Sequence, residues 1–230
     1  MFKKIRSKAI AIKNKFIHAY SRNAFDVVKK KILFYKHNKK ITSFPPPLKV
    51  NLACGQDYKT GWLNIDQYID PNAKKTHMTI ECDLVKHFPF KRSSVLYFYS
   101  EHFIEHITYA DGLDFLKKIY KSLKPGGVLR ISCPNLEDLT LHYLNNSWNM
   151  EEWKRNYPDI RGRCDIMNRY MAFDYWGHKY VYDKEELINS LRLAGFEVKN
   201  IKSVSLGKSE HDELNNLEIR VNSMVFEAKK

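Results

Sequence analysis

From residue 48 onward the chain is punctuated by short, strand-length segments rich in apolar and aromatic residues. Ser94-Val95-Leu96-Tyr97-Phe98-Tyr99 is the clearest of them. Its lack of alternation suits a central parallel strand covered on both faces. Shorter segments predict a first strand over 48–53, a second ending in Leu63-Asn64-Ile65-Asp66 and a short third at Thr79-Ile80-Glu81-Cys82-Asp83. A fifth is predicted at Val128-Leu129-Arg130-Ile131-Ser132, and two more over Phe196 to about Val204 and Leu217 to about Ala228, joined by a polar loop as a sheet-edge hairpin requires. Asp111 is placed to cap a helix through about Ser122, with Asp114 at the capping-box position and Lys124-Pro125-Gly126-Gly127 as its stop. Asp183 and Glu186 form a second capping box, and Gly195 suits the end of that helix. Alternation of strands and helices followed by a terminal strand pair predicts an α/β unit with a mostly parallel sheet and one antiparallel edge strand.

Residues 1–43 read differently. Phe2, Ile5, Ala9 and Ile12, then Phe16, Ile17 and Tyr20, have the spacing of an amphipathic helix. Of the formal charge of +13, residues 1–40 carry +12, from thirteen Lys or Arg against the single acid Asp26, which leaves +1 for residues 41–230. This basic helical arm is suited either to packing on the domain or to attraction toward an anionic membrane surface, about 1 kcal/mol per basic residue close to the lipid. Phe44-Pro45-Pro46-Pro47 stiffens its join to a main domain expected over 44–230. No run of eighteen apolar residues spans a bilayer, and no apolar region with a small-residue cleavage site follows the early lysines. The expected location is cytoplasmic, including the inner face of the membrane. Cys54, Cys82, Cys133 and Cys164 are scattered without a CxxC pair, as expected of reduced and mostly buried thiols.

Chemistry concentrates where strands end. Val50-Asn51-Leu52-Ala53-Cys54-Gly55-Gln56 joins a strand to a small-residue turn that lets backbone amides approach a ligand. Asp66 closes the next strand, where a carboxylate can accept from a ribose diol. The order continues through Asp83 with Pro89-Phe90, Ser100-Glu101-His102-Phe103-Ile104-Glu105-His106, Leu123-Lys124-Pro125-Gly126-Gly127 and Ser132-Cys133-Pro134-Asn135. With these pieces in this order, residues 48–204 resemble the class I methyltransferases that use S-adenosylmethionine. They resemble in particular the predicted methyltransferases of bacterial capsule and lipopolysaccharide gene clusters.

The resemblance implies a Rossmann-like class I fold, S-adenosylmethionine as methyl donor and S-adenosylhomocysteine as product. It places Ala53, Cys54 and Gly55 at the methionine part, Asp66 at the ribose, and Asp83 with the Leu84 amide at the adenine. Ser100 and His106 are expected in the same pocket. Relatives commonly carry glycine where this chain has Ala53, which is tolerable if the backbone there keeps a negative φ.

A hydroxyl acceptor must lose its proton, a task imidazole suits. His102 is the first candidate base and His178 the second. His102-Phe103-Ile104-Glu105-His106 also matches His-x-x-Glu-His, a zinc pattern. It is set aside because no distant acidic third ligand stands out, and no metal is expected. The segment 134–180 is rich in Trp, Tyr and Arg, and is read as an acceptor-binding insert or a lid. Arg161, Arg163, Arg169, Tyr170, Trp176 and Tyr182 are the candidates for holding a carbohydrate or phosphorylated acceptor by stacking and bidentate pairing. The alternative is that these aromatics form the lid's own small core.

The expected reaction is methyl transfer to an oxygen of a sugar, phosphorylated sugar or nucleotide-linked polysaccharide precursor. A nucleic-acid methyltransferase is one rival, disfavoured because the basic surplus is confined to the arm and no Asp/Asn-Pro-Pro-aromatic run follows the fourth strand. A non-catalytic, cofactor-binding partner subunit is the other.

Overall fold

The computed structural model describes residues 32–171 and 177–230. The proposed amphipathic stretch of the arm and Trp176 lie outside the described residues. Residues 32–41 form a helix, and Phe44–Lys230 is a compact unit of its own. No helix among the described residues is long and apolar enough to cross a membrane.

One seven-stranded sheet organises the larger unit. Its strands are β1 (Lys49–Leu52), β2 (Leu63–Asp66), β3 (Thr79–Glu81), β4 (Val95–Glu101), β5 (Leu123–Cys133), β6 (Ile201–Val204) and β7 (Met224–Lys229), in the order β3-β2-β1-β4-β5-β7-β6. The β3-β2, β2-β1, β1-β4 and β4-β5 pairs are parallel. β7 is antiparallel to both neighbours and sits between β5 and the edge strand β6. Val50, Leu52, Leu63, Ile65, Phe98, Leu129 and Ile131 are all fully buried, and the polar residues that alternate with them in β1, β2 and β5, Asn51, Asn64 and Arg130, are buried as well.

The helices are α1 (Ala73–Thr76), α2 (Tyr109–Ser122), α3 (Leu136–Leu144), α4 (Met150–Asn156), α5 (Arg163–Met171) and α6 (Lys184–Ala194). α2 and α6 pack together. Phe115 of α2 meets Phe88 and Phe103, and Phe90 meets Phe98 of β4, at ring separations of 5.1–6.0 Å. Burying the Phe90, Phe98 and Phe115 rings contributes roughly 1.5–3 kcal/mol each. Trp62, Tyr99, Val128, Leu214 and Leu217 form a separate buried cluster.

Several boundaries differ from expectation. Thr108, not Asp111, caps α2: its extended backbone leaves Oγ1 free to accept from the Asp111 amide at 3.2 Å, and Asp111 is the third helical residue. β5 begins at Leu123 and carries the Lys124-Pro125-Gly126-Gly127 stretch, opposite a register irregularity between Val95 and Tyr97. Leu217–Ser223 is not strand; β7 starts only at Met224. The Asp183 cap is present, its carboxylate accepting from the Glu186 amide at 2.8 Å. Gly195 ends α6 at φ +121°, where a Cβ would meet Tyr120 at 2.7 Å.

At the centre of β5 the fully buried Arg130 faces Glu227 of β7. Nε and Nη2 fork onto Glu218 at 2.5 and 3.0 Å, and Nη1 donates to Glu227 Oε1 at 2.6 Å and to the Lys208 carbonyl at 2.9 Å. Burial raises the Glu218 carboxyl, but this fork and the Gly207 amide hold it below its ordinary value.

Arg130→Met should therefore destabilise the protein by about 3–5 kcal/mol near neutral pH, by stranding two buried carboxylates. A carboxylate whose folded pKa is depressed stabilises above its unfolded value and loses that contribution as the pH falls. The variant's deficit should then shrink below the ordinary glutamate value of 4.5. Denaturant unfolding at a series of pH values measures both, and a deficit that stays constant on acidification would contradict the assignment.

Candidate active site at the strand ends

A cleft of about 960 Å³ opens at the C-terminal ends of β1 to β4. Its first wall depends on two buried asparagines at matched positions of β1 and β2. Asn51 Nδ2 donates to Asn64 Oδ1 at 3.0 Å and to the Asp57 carbonyl at 2.8 Å, while Asn64 also binds the amide and carbonyl of Lys59. The 53–59 turn is thus tied down by side chains within the sheet. The Gly55 amide donates to Asp66 Oδ2 at 2.9 Å, joining the turn to the end of β2. A Cβ at Gly55 would meet no atom within 4 Å, so the turn faces open space. Ala53 departs from expectation: its φ is +51°, in the left-handed region, despite its Cβ. Burial, then the charge of Asp66, pushes the Cys54 thiol up to about 12, so it stays protonated.

Asp83 and Leu84 also line the cleft. Asp83 Oδ1 accepts from the Val85 and Lys86 amides at 3.1 Å, and Oδ2 meets Lys86 Nζ at 2.7 Å. Partial burial opposes ionisation there, yet these partners hold the carboxyl below its usual range. Ser100 is fully buried and does not line the cleft. Strand alternation presents its neighbours Tyr99 and Glu101 instead.

His102 follows β4 at φ +50°. Its Nδ1 lies 3.2 Å from Glu105 Oε1 and its Nε2 lies 2.6 Å from Ser223 Oγ. A 3-10 turn, Ile104–His106, brings His106 into the cleft as well. His178 is buried and does not line the cleft; its ring stands edge-on to that of His106 at 4.7 Å. Burial, only partly opposed by the hydrogen bond to Tyr170 and the charge of Glu105, lowers its pKa below the ordinary 6.5. Of the two candidate bases, the cleft holds His102.

The expected acceptor residues lie elsewhere. Arg161, Arg163, Arg169, Tyr170 and Tyr182 do not line the cleft. Tyr170 joins Leu139, Ile160 and Ile166 in a small core of α3, α4 and α5, with Trp148 and Trp153 packed against it. Arg161 forks onto Asp165 at 2.8 and 3.0 Å, Arg163 donates to the Tyr143 carbonyl, and Arg169 pairs with Asp159. Tyr182 is buried beside Gly112.

Residues that sequence reasoning left out form the remaining wall. Glu101 Oε1 accepts from the consecutive amides of Ile219 and Arg220 at 3.1 and 2.9 Å, so the 217–223 segment lies along the cleft. An acid closing the strongly apolar fourth strand was the available signal for Glu101; none pointed to Ser223. Lys86, Lys179 and Arg220 are the cations lining the cleft among the described residues.

Residues 50–131 match the methyltransferase domain family, a stretch running from β1 into β5 that includes the strand-end residues of the cleft from Asn51 to Ile107. The chain is similar to a SAM-dependent methyltransferase structure from Archaeoglobus fulgidus, at 15% identity over 87% of this chain and 94% of that one, with a TM-score of 0.51. It is also similar to PigF, solved with SAH, at 13% identity over 80% of this chain and 50% of that one, with a TM-score of 0.50. No curated protein matches the sequence. At these identities the likeness establishes the fold, an α/β class I methyltransferase sheet.

Left-handed backbone costs a residue with a Cβ roughly 1–2 kcal/mol, whereas glycine adopts it freely and loses about 0.5–1 kcal/mol of extra chain entropy. Ala53→Gly should accordingly stabilise the protein by about 0.5–1 kcal/mol. A lower midpoint in urea unfolding would show that Ala53 does not hold this backbone.

Proposed function

We propose that the chain transfers a methyl group from S-adenosylmethionine to an oxygen of a sugar, phosphorylated sugar or nucleotide-linked precursor of a bacterial surface polysaccharide. The observation that carries the reading is convergence: the open turn at Gly55, the carboxylates of Asp66 and Asp83, and the imidazole of His102 surround one cleft. The matched methyltransferase domain supports the reaction class. The polysaccharide acceptor rests on the sequence resemblance, and an anionic acceptor agrees with Lys86, Lys179 and Arg220 in the cleft.

The residues present suit the donor. Each Asp66 oxygen already accepts one backbone amide, from Gly55 or Tyr68, and retains a lone pair for a ribose hydroxyl. Asp83 and the Leu84 amide would take the adenine edge, with the exposed Lys86 ammonium able to swing aside. When bound, the sulfonium supplies an electrophilic methyl carbon and leaves as a neutral thioether.

The acceptor's proton is left to the chain. If His102 Nδ1–H faces Glu105, the lone pair is on Nε2, which takes that proton as the acceptor oxygen forms its bond to carbon. Ser223, now against Nε2, sits where an acceptor hydroxyl would compete. Oxygen rather than nitrogen is favoured because Ser100-Glu101-His102 stands where amino-group enzymes carry an Asp/Asn-Pro-Pro-aromatic run.

Calorimetry with S-adenosylhomocysteine should show binding, weakened by about 1–3 kcal/mol in Asp66→Ala, the usual cost of losing a hydrogen-bonded polar group. Absence of binding to ligand-stripped wild type would defeat the donor assignment. Labelled donor with a panel of nucleotide sugars and precursor extracts, followed by mass analysis, identifies the acceptor.

His102→Ala should lower turnover on that acceptor by roughly 10²–10⁴ with donor affinity little changed. A loss of only a few-fold would mean that alignment alone suffices.

A further inference from the structure

We propose that Glu105, His106 and His178 form a binding site for a divalent first-row transition metal. One donor atom from each lies within 4.8 Å of the others. A metal at the usual 2.0–2.2 Å would draw such atoms to roughly 3.4 Å apart, so none of the separations needs to close by more than about 1.4 Å. The sequence reading sought an acidic third ligand for His-x-x-Glu-His; the fold brings an imidazole from more than seventy positions away.

Two independent observations point to a cation. Glu105 is 1% exposed, yet neither of its carboxylate oxygens has a hydrogen bond, and its contact with His102 Nδ1 is a single approach at 3.2 Å. A carboxylate so buried requires compensating positive charge. His178 Nδ1 lies 2.8 Å from the Tyr170 carbonyl, which can only accept. The proton is therefore on Nδ1 and the lone pair on Nε2, the arrangement in which a backbone carbonyl orients a metal-ligating imidazole.

The backbone holds the ligands in place. The Lys179 and Tyr180 amides both donate to the Glu105 carbonyl, at 2.7 and 3.2 Å, which fixes residue 178 opposite the 3-10 turn. Two imidazoles and one carboxylate, with no thiolate, suit Zn²⁺, Mn²⁺ or Fe²⁺ better than Mg²⁺ or Ca²⁺. Three protein donors leave a coordination position vacant, and His106 lines the cleft. An acceptor hydroxyl bound there would be more acidic, its proton passing to His102 as its oxygen bonds to the methyl carbon. That role rests on the proposed methyl transfer; the site itself does not.

The test uses the full-length chain, stripped with chelator and titrated with Co²⁺ while visible absorption is read, then with Zn²⁺ in a calorimeter. One equivalent should bind, Zn²⁺ should displace Co²⁺, and millimolar Mg²⁺ should not. Glu105→Gln and His106→Gln, each checked for folding by circular dichroism, should weaken binding at least tenfold. Failure of wild type to bind either metal saturably overturns the proposal without reference to any variant, as does wild-type affinity in folded His106→Gln. S-adenosylhomocysteine calorimetry on the same metal-free sample separates the two readings. Metal binding without it defeats the donor assignment alone, and its binding without metal defeats only the site proposed here.

Discussion

A guanidinium with no exposure to water has to be matched donor for donor, and Arg130 is matched almost entirely by the C-terminal part of the chain. Its cross-strand partner Glu227 fixes the register of β7 against β5, and its fork on Glu218 fixes a loop residue that no strand would hold. The residues next to Glu218 are Ile219 and Arg220, whose amides bind Glu101 at the end of β4, and three residues further on Ser223 meets His102. One buried charge thus determines where a wall of the cleft lies. Replacing the pair by apolar residues could leave the sheet equally stable, but would release that wall.

The same economy governs the opposite wall. Asn51 and Asn64 are buried polar side chains in strands, positions that cost free energy unless every donor and acceptor is used. Their bonds to each other and to the 57–59 backbone make them internal ties for the turn that presents Gly55. Buried polar groups at the sheet's C-terminal edge therefore shape the cleft, while apolar residues such as Val50, Ile65 and Phe98 hold the sheet beneath it.

This division explains what the sequence disclosed. The first five strands were legible from their apolar residues even though buried Asn51, Asn64 and Arg130 interrupt β1, β2 and β5, and the Asp183 to Gly195 helix was legible from its own chemistry. The 217–223 segment reads as strand because Leu217, Ile219 and Val221 alternate with polar residues. Its backbone is instead diverted by Glu101 and by the Arg130 fork on Glu218, interactions across about ninety positions or more that no local pattern encodes. The described candidate residues of the insert lie away from the cleft for a related reason. Composition shows that Trp and Arg are present but not which way they face, and Asp165, only four residues after Arg161, takes up that guanidinium locally. The donor-side candidates Asp66 and Asp83 do line the cleft, because residues that follow parallel strands emerge at one edge of the sheet.

Among the residues with a Cβ that adopt left-handed backbone, Ala53 and His102 follow β1 and β4, strands that pair directly. Such conformations cost of order 1–3 kcal/mol each and persist only where surrounding bonds over-determine them. Here the Cys54 amide is bound by the Ile65 carbonyl and the His102 amide by the Ser132 carbonyl, so both chain reversals are pinned to neighbouring strands. At Ala53 the reversal leads the backbone to the Gly55 amide, and at His102 it places the imidazole between Glu105 and Ser223 instead of along the strand. A strand continued without these reversals would be less strained and would present neither group to the cleft. The sheet's stability thus sustains, at two adjacent strand ends, the local strain that creates the site.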